Sequence, residues 1–135
     1  MYFEFDAETP ANTTETSPVK TKMKLTAGVI HYVEFMFPAG CVGLAHARVK
    51  HFGAPLWPRN IDGNLKGDNL VIRFSEVYEL KPGNNTLELY TWNEDDTYSH
   101  TVTCRIGLLR KEELFPEINL ADMIRMFFRL FKRRS

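Results

Sequence analysis

The sequence predicts an all-β protein, an antiparallel β-sandwich or jelly roll of seven or eight strands with an extended N-terminal arm and one C-terminal amphipathic helix. Between residues 19 and 109, short segments alternate apolar and polar residues with a period of two. Turn-forming residues separate these segments at regular intervals, and no helical pattern intervenes. The apolar spacing becomes helical only near the end of the chain.

The length and composition favour one domain with a single core. The chain has 135 residues, of which 44% are hydrophobic and 25% charged, as is ordinary for a globular protein. We divide it into an acidic arm (1–18), a β-sandwich domain (19–110), a connector (111–118) and a basic amphipathic helix (119–135). Residues 7–18 of the arm are rich in Thr and Pro, so we expect this segment to be flexible unless a partner holds it.

The period-two pattern begins at Val19. Three lysines, Lys20, Lys22 and Lys24, share one face of this first predicted strand, which suits the edge of a sheet. Further strands are predicted over residues 29–37, 41–52, 54–57, 70–74, 77–80, 86–92 and 98–106. The polar segment 58–69 is predicted as the longest loop.

The charge is unevenly distributed, although the formal net charge is zero. Residues 1–18 carry four acids, Glu4, Asp6, Glu8 and Glu15, and no Lys or Arg. Residues 119–135 carry five basic residues against the single acid Asp122, a net charge of +4. An acidic arm and a basic tail around a neutral body indicate a protein that docks through its ends.

The predicted helix runs from Leu120 to about Arg133, with Asn119 as its N-cap. Its large apolar residues fall on one broad face, which we expect to pack against a partner subunit. A membrane surface, nucleic acid and packing within the chain are the alternatives that we favour less. The predicted interface comprises Tyr2, Phe3, Phe5, Leu120, Ile124, Phe127, Phe128, Phe131, Arg133 and Arg134.

No pattern in the sequence indicates catalysis. The four histidines form no His-x-His pair, there is no nucleophile elbow and no phosphate-binding glycine loop. We therefore predict no catalytic residue, metal or cofactor. Cys41 and Cys104 are expected to be buried free thiols, because the N-terminus has no export signal.

Two tryptophans supply an alternative function. Trp57 and Trp92, together with Tyr90 and Tyr98, would form a platform for stacking sugar rings if they were exposed. The chain would then be a carbohydrate-binding module. Packing in the core or at a subunit interface is the interpretation that we favour.

Three segments, Leu25–Cys41, Leu56–Gly63 and Trp92–Leu109, resemble small, uncharacterised β-sandwich proteins of tailed-phage-like virions. The resemblance covers roughly residues 19–109 and not the C-terminal helix. It implies a structural role in a virion assembled in the host cytoplasm, with protein subunits as partners. We therefore expect a non-enzymatic assembly subunit, either a homo-oligomer or part of a larger particle.

Overall fold

The computed structural model describes residues 1–110 and 120–132, in the latter range with the side chains of residues 121 and 124–129 only. In these residues nine strands precede one helix. Their bounds are β1 Tyr2–Thr9, β2 Val19–Lys24, β3 Gly28–Phe37, β4 Ala45–His51, β5 Ala54–Trp57, β6 Leu65–Lys66, β7 Leu70–Leu80, β8 Thr86–Asn93, β9 His100–Leu109 and α1 Leu120–Lys132.

The strands form two antiparallel sheets. The first sheet has the order β1-β9-β3-β7, and the second has the order β2-β8-β4-β5, with the short β6 paired to β4. The mostly antiparallel β architecture and the C-terminal helix are therefore confirmed. In the second sheet β2 lies at an edge, where its three lysines point outwards, as the sequence predicts.

Both sheets contribute to one hydrophobic core. The alternation along each strand sends every second side chain inwards, because successive side chains in a strand point to opposite faces. The largest fully buried side chains are those of Phe35, Phe37, Met23, Ile30, Leu80, Leu87, Leu89, Ile106 and Leu108. Burying one such side chain contributes about 1.5–3 kcal/mol, so this cluster is the main source of stability.

The prediction of an N-terminal arm separate from the β-sandwich domain is wrong for its first half. Residues Tyr2–Thr9 form β1, which pairs with β9 along its whole length at one edge of the first sheet. Ala7 and Thr9 are buried, and Phe3 and Phe5 pack against the core. The physical reason is the period-two pattern itself, in which small and aromatic residues alternate with Glu4, Asp6 and Glu8.

Two further strand predictions need correction. The segments 70–74 and 77–80 form one continuous strand, β7, and β4 begins at Ala45 rather than at residue 41. Glu76 does not interrupt β7, because its carboxylate accepts a hydrogen bond from the Trp57 indole at 3.0 Å. Within the described residues β7 pairs only with β3, so it forms the second edge of the first sheet.

The two cysteines are buried and unbridged, as predicted. Cys41 follows β3, and Cys104 lies within β9 opposite Phe35. Burial raises the pKa of both thiols above the ordinary value, because a thiolate is poorly solvated in an apolar interior. Both side chains therefore act as small apolar core residues.

Candidate interaction surface

The outer face of the second sheet carries a cluster of cationic and aromatic side chains. It is formed by the outward residues of β2, β8 and β4, which alternate with core residues such as Leu89 and Val49. We call it the basic face, and it consists of Lys20, Lys22, Lys24, Arg48, Lys50, Glu88, Tyr90 and Trp92, with His46 beside Trp92. Its strands carry five Lys or Arg residues against one carboxylate, a net charge of +4.

Trp92 lies beneath two neighbouring side chains on β4. The His46 imidazole stacks on the indole, with ring centroids 5.2 Å apart. The Arg48 guanidinium carbon lies 5.1 Å from the centroid of the Trp92 ring, a cation–π arrangement. His46 is held in turn by Asn64 at 2.8 Å and by Glu94 at 3.1 Å. These contacts fix the ring planes and cover the indole.

Tyr90 is the second aromatic residue of the basic face. Lys20 and Lys50, from the strands on either side, place their ammonium groups 5.5 Å and 5.0 Å from its ring centroid. The Tyr90 hydroxyl donates a hydrogen bond to Glu88. This bond raises the pKa of Tyr90, with burial as the second cause, because ionisation would place two negative charges together. Tyr90 therefore stays a neutral donor.

A shallow groove of about 570 Å³ runs beside these residues. Arg48, Lys20, Lys50 and Tyr90 line it from the sheet, and Glu15 and Asp62 line it from the flanking loops. Arg48 donates to Glu15 at 3.2 Å through Nη1. Its Nε is buried, and among the described residues no hydrogen-bond acceptor lies within reach of it. The groove can attract anionic groups by charge.

The structure contradicts the sugar-stacking hypothesis. Trp57 and Trp92 are each 3% exposed, so neither ring offers a face to a sugar. Trp57 packs edge-on against Phe35 and Phe74 in the core, and Trp92 is covered by its β4 neighbours. Tyr98 is exposed, but Tyr90 is buried. The favoured interpretation, in which the tryptophans serve packing, agrees with these positions.

The predicted interface residues at the N-terminus are divided by β1. Tyr2 faces outwards and is 61% exposed, whereas Phe3 and Phe5 point towards the core. Phe3 and Phe5 stack on each other with a ring-centroid distance of 6.5 Å. They therefore support the fold of this chain, and only Tyr2 of the three lies on the surface.

The helix α1 begins at Leu120, as predicted. Among its described side chains, four large apolar ones are exposed: Ile124 by 38%, Met126 by 45%, Phe127 by 51% and Phe128 by 63%. Arg133 and Arg134 lie outside the described residues, as do the side chains of Leu120 and Phe131. The described part of the predicted helical face is thus on the surface.

The histidines serve local structure in the described part of the chain. His100 contacts Asp95 at 2.8 Å, and His51 contacts the Tyr78 hydroxyl at 2.5 Å and the Asn84 carbonyl oxygen at 3.0 Å. His31 lies at a β-bulge in β3 and is exposed. In residues 1–110 and 120–132, no group of three or more His, Cys, Asp or Glu side chains is arranged to hold a metal ion.

The sequence did not single out the basic face. Its three lysines were predicted on one face of β2, but Arg48, Lys50 and Tyr90 join them only through strand pairing. The usable signal was the alternation of His46, Arg48 and Lys50 with Ala47 and Val49. That pattern identifies an outward face but not the neighbouring strands.

Comparison with known proteins gives no family for the chain. No protein-family model matches it, and no curated protein is significantly similar to it. In the described residues, no helix has both the length and the apolar character needed to cross a membrane.

Proposed function

We propose that this chain is a non-enzymatic assembly subunit. Its two sheets form a β-sandwich that acts as a rigid block, and α1 connects the block to a second copy of the chain. The shared core of the two sheets supports the sandwich arrangement. A jelly-roll connection of the strands remains a prediction within this fold class.

The observation that carries the proposal is the exposed apolar side of α1. Among the described side chains, the core cluster draws only on residues between Ala7 and Leu108 and takes none from the helix. Meanwhile Ile124, Met126 and Phe128 present large apolar side chains to solvent. Contiguous exposed apolar residues mark interaction surfaces, and burying each side chain on a partner would contribute up to about 1.5–3 kcal/mol.

A second copy is the partner proposed for the helix. A helix that leaves a rigid block can reach a neighbour, and identical copies joined in this way close a symmetric ring or cluster. The proposed virion setting, with assembly in the host cytoplasm, is supported by the sequence resemblance over residues 19–109 alone. Because the sugar-stacking hypothesis required exposed tryptophans, it is not carried forward.

The proposal is tested by the molar mass of the purified chain across a concentration series, measured by light scattering. The wild type is expected to form oligomers at high concentration. The variant Ile124→Gln with Phe128→Gln is expected to be monomeric at about 0.5 M salt. Apolar association persists at this salt concentration, whereas contacts between exposed charges are largely screened.

The matched control is Arg129→Gln, which introduces the same residue at an exposed position on the polar side of α1. The control should assemble as the wild type does. Circular dichroism should show the same β content for all three chains. A wild type that stays monomeric at high concentration, or an equal loss of assembly in both variants, would overturn the helix contact.

A further inference from the structure

The outer faces of the two sheets have opposite charge. The outer face of the first sheet, which we call the acidic face, carries the charged residues Glu4, Asp6, Glu8, Glu34, Glu79, Arg73 and Arg105. These are five carboxylates against two guanidinium groups, a net charge of −3. The basic face of the second sheet has a net charge of +4. The formal net charge of zero for the whole chain therefore conceals two faces of opposite charge.

The two cations of the acidic face are already engaged. Arg105 donates to Glu4 at 2.7 Å and to Glu34 at 3.0 Å, so it lies between two carboxylates. Arg73 lies 3.9 Å from Glu34 on the other side. The remaining acids, Asp6, Glu8 and Glu79, are exposed, and within the described residues none of them forms an ion pair. They give the acidic face its outward negative potential.

The cations of the basic face are only partly neutralised. Glu15 engages Arg48 through Nη1, and Lys20 and Lys50 lie over Tyr90, with no ion pair to either lysine among the described residues. Lys22 and Lys24 are exposed at the β2 edge, where Lys22 lies opposite Glu88. The unneutralised positive charge therefore lies along β2 and β4, on the side of the molecule opposite to the acidic face.

We infer that the basic face of one copy docks on the acidic face of the next copy. This inference deepens the proposed assembly function and depends on it, since it names a second contact between the same copies. Charge complementarity favours this pairing and disfavours contacts between like faces. Because the two faces lie on opposite sides of one block, the contact is heterologous and leaves a free face at each end. Copies can therefore add head to tail.

The test uses charge reversal on one face at a time, in the full chain carrying Ile124→Gln and Phe128→Gln. This background removes the proposed helix contact, so the face contact is measured separately. One variant adds Glu8→Lys and Glu79→Lys, which changes the net charge of the acidic face from −3 to +1. The other adds Lys22→Glu and Lys24→Glu, which changes the net charge of the basic face from +4 to 0.

Sedimentation velocity at low salt measures the association state of each chain. The background chain should self-associate, and each charge variant alone should be monomeric. A mixture of the two should stop at a one-to-one complex, because only one complementary pair of faces remains. The dissociation constant of that complex should rise at least about tenfold at about 1 M salt, where the screening length falls to about 3 Å.

Three outcomes would overturn the inference. The background chain could remain monomeric at low salt, the charge variants could associate as it does, or the mixture could form no complex. A monomeric background chain could instead bind inorganic polyphosphate. If Lys22→Glu with Lys24→Glu abolished that binding, the basic face would be an anion-binding site and not a contact between copies. The helix contact would remain untouched by these results, because it is tested at higher salt with α1 variants.

Discussion

The hydroxyl groups of Thr9 and Thr91 lie 2.8 Å apart in the buried interior and join the two sheets. Thr9 is the last residue of β1, and Thr91 lies in β8 of the second sheet. Both side chains are fully buried. The Thr9 hydroxyl also lies 3.2 Å from the Ala7 carbonyl oxygen, so the pair forms a small polar network inside an apolar core.

A double-mutant cycle should show this coupling. Thr91→Val alone is expected to cost about 1–3 kcal/mol, because it removes a buried hydrogen-bond partner. Thr9→Val with Thr91→Val should cost less than the sum of the two single variants, since no hydroxyl is left without its partner. Urea denaturation of the four chains measures the cycle. Additive losses would show that the two hydroxyls do not interact.

Arg105 should contribute more to stability than Arg73, although both contact Glu34. The Arg105 side chain is 25% exposed and donates charged hydrogen bonds to Glu4 and Glu34, whereas the Arg73 side chain is 64% exposed and lies 3.9 Å from Glu34. Arg105→Met is therefore expected to lower the free energy of unfolding more than the control Arg73→Met, because it removes two charged hydrogen bonds instead of one long, exposed ion pair. Equal losses in urea denaturation would contradict the arrangement on the acidic face.

Asp95 should make the free energy of unfolding fall as the solution becomes acidic. Its carboxylate accepts backbone hydrogen bonds from Thr97 and Tyr98 and contacts His100, and these interactions lower the pKa of Asp95, with the Thr97 bond as the largest cause. Because the folded pKa is below the unfolded value, this stabilisation is complete above the unfolded pKa and is lost as the pH falls through the folded pKa.

Asp95→Asn should therefore flatten the fall in stability below about pH 4, the ordinary range of an aspartate. Thermal unfolding between neutral and acid pH measures the slope. The neighbouring exposed residue supplies a matched control, Asp96→Asn, which should keep the wild-type slope. If the two variants had the same slope, the Asp95 contacts would not carry the effect.

Deleting residues 1–9 should destabilise the whole fold. The deletion removes β1, strips Phe3 and Phe5 from the core, and leaves β9 as an unpaired edge. We expect the midpoint of thermal unfolding to fall by about 10 °C or more. The exposed control Tyr2→Ala should change stability by no more than about 0.5 kcal/mol. A shift of only a few degrees for the deletion would restore the arm interpretation.

Much of the fold could be predicted from the sequence, because its strands have one wet face. Lys20, Lys22 and Lys24 identify both the first predicted strand and its edge position. Residues 2–9 show the same alternation, but they were grouped with the polar segment that follows them and were therefore not predicted as a strand. Residues 70–80 were predicted as two strands, and the sequence does not reveal that the Trp57 indole meets the Glu76 carboxylate within one continuous strand.

The candidate surface could be predicted only in part. A strand pattern shows which residues share a face, whereas the pairing of β2 with β8 and of β8 with β4 is set by the whole fold. Arg48 is 44 residues from Trp92 in sequence, yet its guanidinium covers the indole. Exposure of an aromatic residue depends on such cross-strand neighbours, and this explains why the tryptophans were open to two interpretations.

The pairing of β1 with β9 also determines when the first sheet can be completed during synthesis. Tyr2 lies opposite Gly107, so β1 has no partner in its sheet until the last strand has left the ribosome. At ordinary translation rates this interval is about 5–20 seconds. Such long-range pairing slows folding. Until then Phe3 and Phe5 lack the strand pairing that holds them against the core.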